Sequence, residues 1–154
     1  MILSPVFRKT VLPPLAVEKI LTMQKKSDLF VMTKAKDLAK YIITVTEKSP
    51  VKFRFTLVVR LQNYILGVLE KLYLANSRPL GSERRNLQEE AKTLLSMIDY
   101  FAGLCYEAKC ILFKQYELIS MQQAECLLYL NKWIASDGKR KTTVSTDLQS
   151  GDIG

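Results

Sequence analysis

The 154-residue chain contains no histidine. That absence removes Ser-His and Cys-His nucleophilic pairs, the His-Glu-x-x-His zinc motif, and the Glu-x-x-His pairs with which helical bundles hold di-iron. Glycine and proline are scarce, six and five residues, and most lie near the ends or between apolar runs. So few turn-formers favour long helices over a many-stranded fold. No apolar run reaches the ~18 residues that a membrane span requires. The N-terminal M-I-L-S-P-V-F-R-K-T-V-L-P-P-L is broken by Pro5, Pro13 and Pro14, and it lacks the basic start and unbroken apolar core of a signal peptide.

The three cysteines, Cys105, Cys110 and Cys126, are an odd number set in apolar helical patterns. They read as buried thiols of a reducing cytosol, and their spacing is not that of metal ligands. No glycine-rich phosphate loop is present, and the neighbouring Glu89 and Glu90 point in different directions on a helix. The expectation is a cytoplasmic, single-domain protein that is not an enzyme and holds neither cofactor nor metal.

What the chain does have is positive charge, +8 in all, with a pI near 9.4. Residues 25–61 carry nine Lys/Arg against three acidic side chains, whereas residues 62–137 carry eight against nine. The basic character belongs to one half of the domain and points to a polyanionic partner. A solvated lysine-rich face is the plainer reading.

Residues 1–27 have no clear periodicity and read as an irregular arm. A first helix is expected from about Asp28 or Thr33 to Lys48, with Ala35, Leu38, Ile42 and Val45 as its buried stripe. A second runs from about Pro50 to Asn76 through Leu57, Leu61, Tyr64, Val68, Leu72 and Ala75, widened by Val58, Ile65 and Leu69. After the Arg78-Pro79-Leu80-Gly81 loop, Ser82 can cap a third helix whose stripe is Leu87, Ala91, Leu94, Ile98, Ala102 and Cys105. A fourth, striped by Tyr116, Ile119, Leu127, Leu130 and Ile134, runs to about Asp137, with Gly138 as its stop. Residues 139–154 read as a disordered polar tail. The fold class is all-α: four long helices over residues 28–138 joined by short connections make an up-down-up-down four-helix bundle.

Within the basic half, Lys48 to Asn63 (K-S-P-V-K-F-R-F-T-L-V-V-R-L-Q-N) is the most informative stretch. Ser49 and Pro50 form a helix-start signal, yet Lys52 and Arg54 fall in the first turn, where the helix dipole disfavours cations. An anion docked on free backbone N–H groups would explain them. Lys36, Lys40, Lys48, Lys52, Arg54 and Arg60 are the candidate nucleic-acid-binding residues. Phe53 and Phe55 interleave with them, either to stack on bases or to cap the hydrophobic end of the bundle. Ile111, Leu112, Phe113 and Trp133 form an apolar excess, either an oligomer interface or a connector folded back over the bundle end.

Residues 28–140 also resemble a known family. The shared pattern includes T-K-A-K-D-L-A-K-Y-I-I-T-V-T-E-K-S-P-V-K-F-R-F-T-L-V-V-R-L-Q-N, A-N-S-R-P, I-D-Y-F-A-G-L-C-Y-E-A-K-C-I-L-F-K-Q-Y-E-L-I-S and L-N-K-W-I-A-S-D. It is similar to the bacterial four-helix-bundle family that includes Avd, the accessory variability determinant of diversity-generating retroelements. The resemblance implies a basic homopentamer that binds the retroelement's reverse transcriptase and template-repeat RNA. It implies support for adenine-mutagenised cDNA synthesis, with the chemistry left to the polymerase. The family also has relatives encoded in intervening sequences of large-subunit ribosomal RNA genes, so the alternative is a general interaction bundle without a polymerase partner. No family motif fixes individual RNA contacts, and the residues named above come from the charge pattern.

Overall fold

In the computed structural model, the backbone is described for residues 30–151 and the side chains for residues 30–140. The arm expected over residues 1–27 lies outside the described residues. Four helices follow one another: α1 (Phe30–Thr46), α2 (Val59–Ser77), α3 (Ser82–Glu107) and α4 (Phe113–Gly151). A 3-10 turn (Val51–Phe53) and a π turn (Arg54–Val58) lead into α2.

Each helix buries a stripe at three- and four-residue spacing: Val31, Ala35, Leu38 and Ile42 on α1, and Leu61, Ile65, Val68, Leu72 and Ala75 on α2. Ala91, Leu95, Ile98, Ala102 and Cys105 on α3 face Ile119, Cys126, Leu130 and Ile134 on α4. Fully burying one Leu or Ile of such a stripe contributes roughly 1.5–3 kcal/mol, so the joined stripes hold the bundle together.

Neighbouring helices run antiparallel. Tyr64 meets Phe101, Gly67 approaches Leu94 and Lys71 pairs with Glu90 between α2 and α3. Ser120 donates to Asp99, Gln123 to the Leu95 carbonyl, and Arg84 reaches Asp137 between α3 and α4. Phe30 meets Tyr129 and Lys34 pairs with Glu125 between α1 and α4. This is the up-down-up-down order, with α1 and α3 each packed between α2 and α4. Among the described residues, no helix is long and apolar enough to cross a membrane.

The structure departs from the sequence expectations at both helix ends and stripe edges. Ser49 does not cap α2. It is buried and its Oγ donates to the Cys110 carbonyl at 2.8 Å, tying the α1–α2 connection to the α3–α4 connection. Gly81, not Ser82, occupies the cap position of α3, without a side-chain cap. On α3, Leu95 and Gln88 are buried whereas Leu94 and Leu87 stay half-exposed. Gln88 is admitted because its Nε2 donates to Asp137 at 2.9 Å, a partner that residue type does not reveal, while its buried Oε1 has no hydrogen bond among the described residues.

The largest departure is at Gly138, where α4 does not stop but continues to Gly151, so the tail expected to be disordered is helical over its described length. A C-terminal glycine ends a helix by taking positive φ, and Gly138 does not take it. In a helix interior, glycine costs only ~1 kcal/mol relative to alanine, and no proline follows to force a break.

The α3–α4 connection is a Schellman turn. The Lys109 N–H donates to the Tyr106 carbonyl and the Cys110 N–H to the Cys105 carbonyl, at 2.9 and 2.8 Å. Lys109 sits at φ 64°, the left-handed position that glycine normally fills. Lys109→Gly is therefore expected to stabilise the fold by roughly 0.5–1 kcal/mol, read as a higher urea midpoint. An unchanged or lower midpoint would show that the Lys109 side chain compensates for its backbone.

This turn also explains the cysteines. Cys105 and Cys110 occupy its two contact positions, and both are buried. Burial pushes the Cys105 and Cys126 thiols from an ordinary 9.0 up to about 12. A thiol that holds its proton more tightly when folded stabilises the fold fully below the unfolded value. That stabilisation is lost as pH climbs through the folded one. Unfolding midpoints should accordingly fall between pH 9 and about 12, and fall less steeply in a Cys105→Ala/Cys126→Ala variant. Parallel curves for parent and variant would remove the thiols as the cause.

Candidate nucleic-acid interface

Pro50 takes an extended conformation, ψ 139°, and the Ser49–Cys110 hydrogen bond pins the chain just before it. The chain then enters a 3-10 turn, Phe53 N–H to Pro50 carbonyl at 3.0 Å, and next a π turn. The π turn carries one extra residue and resets the helical phase. Continued back from Leu61 and Val58, the inward spacing of α2 would place Arg54 in the core. The reset turns the half-buried Phe53 and Leu57 against the core instead, and Arg54 and Phe55 face solvent.

This geometry corrects the helix-dipole argument. Lys52 and Arg54 do not sit in the first turn of a long α-helix. The Val59 N–H is already taken by the Arg54 and Thr56 carbonyls. An anion here would be held by side chains, not by the N-terminus of α2.

All six candidate cations are exposed: Lys36 and Lys40 on α1, Lys48, Lys52 and Arg54 on the connection, and Arg60 in the first turn of α2. Lys36 and Lys40, four residues apart, share one face of α1. Lys52 Nζ stands 4.9 Å from the Phe53 ring centroid, and Arg60 donates to the Tyr64 hydroxyl at 3.4 Å.

The decisive feature is their lack of counter-charges. Lys34, Lys71, Arg78, Arg84, Arg85 and Arg140 each reach a carboxylate within 4.0 Å, and none of the six candidates does among the described residues. Residues 48–69 contain no acidic side chain at all. The nearby Asp37 and Glu47 are exposed and form no ion pair with the six. Desolvating a cation against phosphate is cheaper when no internal partner must first be displaced.

Lys109 joins this surface from the far side of the connection. It lines one groove with Lys48, Glu47, Pro50, Leu112 and Gln115, between the α1–α2 and α3–α4 connections. Sequence reasoning passed it over because it lies in the near-neutral half of the chain. Its only signal was a helix end at Lys109-Cys110, which places it beside Ser49 once the bundle closes.

The four expected interface residues divide. Ile111 and Trp133 are buried, 5% exposed each, within the core of the bundle, and Trp133 packs under the Arg84 guanidinium at 4.9 Å. Ile111 is the part of the connector that folds back over the bundle end. Leu112 and Phe113 remain 69% and 55% exposed, and Leu118 and Met121 further along α4 are exposed as well. Among the described residues, no three Cys, Asp or Glu side chains converge as metal ligands. Neither a family model nor a curated protein matches the chain.

Proposed function

We propose that the chain is a non-catalytic accessory protein of a diversity-generating retroelement. In this reading it assembles as a homopentamer and binds the reverse transcriptase together with template-repeat RNA, supporting mutagenic cDNA synthesis. The observation that supports it best is the set of exposed cations, without carboxylate partners among the described residues, along α1, the connection and the start of α2. A cationic face of this kind attracts a phosphate backbone whatever its sequence. The exposed Leu112 and Phe113, beside the groove at the same end, supply apolar surface for self-association.

Two measurements test the proposal. Light scattering at micromolar concentration is expected to give about 88 kDa, five times the 17.6 kDa chain; a monomer would rule out the scaffold. Co-purification with the reverse transcriptase is expected to depend on template RNA, being reduced by ribonuclease. Polymerase retention that ignores RNA, with no RNA binding by the chain alone, would favour a general protein-interaction bundle.

A further inference from the structure

Phe55 is 86% exposed, more than any other large hydrophobic side chain among the described residues. The sequence offered two uses for the Phe53/Phe55 pair, and the structure separates them. Phe53 packs against the core and Ile111 closes the same end, so Phe55 has no part in the packing of the described residues. The π turn holds it outward in a stretch bearing Lys52, Arg54 and Arg60, all exposed and, among the described residues, without carboxylate partners. An aromatic face amid unpaired cations fits a nucleobase attached to its phosphates better than it fits an apolar protein surface, which would strand those charges.

We propose that Phe55 is a stacking platform for an unpaired base, so that this surface takes single-stranded RNA in preference to duplex. This rests on the reading of the basic face as an RNA surface and adds what kind of RNA it holds. In a duplex the base faces are already stacked on one another, and the ring has nothing to cover. In a single strand every base offers a face, and one lost stack weakens binding by roughly tenfold to a hundredfold.

The test uses the full chain with an unstructured 15-nucleotide RNA and a 15-base-pair RNA duplex at one salt concentration. Phe55→Ala should weaken single-strand binding at least tenfold and leave duplex binding unchanged, with Phe55→Trp restoring it. Fluorescence of Phe55→Trp should be quenched by the single strand, whereas the parent, whose single tryptophan Trp133 is buried, should respond little. Equal loss on both RNAs, or no loss, overturns the stacking role and leaves the basic face standing. Failure of the parent to bind either RNA removes the face as well. A change of assembly mass in Phe55→Ala without a change in affinity assigns the ring to contact between copies, and also overturns the proposal.

Discussion

Replacing Asp137 by alanine is expected to destabilise the bundle by about 3 kcal/mol, the lower end of the cost of breaking a buried ion pair. The Asp137 carboxylate accepts from Arg84 Nε at 2.7 Å and from its Nη2 at 3.0 Å, and from Gln88 Nε2 at 2.9 Å. The Arg84 and Asp137 side chains are only 12% exposed. Without the carboxylate, a guanidinium and a buried amide lose their acceptor together, and the guanidinium stays held over Trp133. The folded-to-unfolded ratio should drop on the order of a hundredfold, seen as a lower urea midpoint. Glu89→Ala is the matched control. Its pair with Arg85 is about half exposed on both sides and spans a single helical turn, so its removal should change stability by less than about 0.5 kcal/mol. Similar losses for the two variants would mean that solvent screens the Arg84–Asp137 pair as it does a surface one.

The contrast between the two ends of the bundle follows from this pair. At the end where α2 leaves and α3 begins, Arg78, Arg84 and Arg85 all find carboxylates. At the other end Lys48, Lys52, Arg54 and Arg60 do not among the described residues, although the chain has carboxylates elsewhere. Charge left unpaired at one end raises the local potential that a polyanion meets on approach.

Which of these features the sequence announced depends on how local their causes are. The stripes of α1 and α2 were legible because burial there repeats at helical spacing in consecutive turns. Leu95 and Gln88 were not, because the phase of α3 is fixed by where Asp137 and Gln123 meet it from α4. The helix-start reading of Ser49-Pro50 failed for a similar reason. Ser49 satisfies a carbonyl 61 residues away, and no local rule detects that. Exposure of five of the six cations was readable from their place outside the stripes; that of Arg54 was not, because the π turn that carries it outward breaks the helical period. Their lack of partners was not, since Lys34 lies in the same basic half and is nevertheless paired with Glu125 across the α1–α4 contact.

The salt dependence of RNA binding should show how many of those cations meet phosphate. Each cation that neutralises a phosphate on a single strand contributes about −0.7 to the slope of log affinity against log salt. If all six candidates engage, the parent slope should approach about −4. Lys52→Glu/Arg54→Glu removes two contacts, flattening the slope by about 1.4, and adds like-charge repulsion at the same place. Affinity at moderate salt should therefore fall by tenfold to a hundredfold, on the order of 1.4–2.8 kcal/mol. Because both side chains are exposed and, among the described residues, form no ion pair, the fold should tolerate the change, with an unfolding midpoint close to the parent's. A shallow parent slope would mean that RNA, if bound, is held by something other than this face. An unchanged affinity in the double variant would move the contact away from the π turn, toward Lys36 and Lys40 on α1 or Lys109 across the groove. The same titration with Lys109→Glu then separates the last two: a loss there places the RNA over the end of the bundle, and no loss places it along α1.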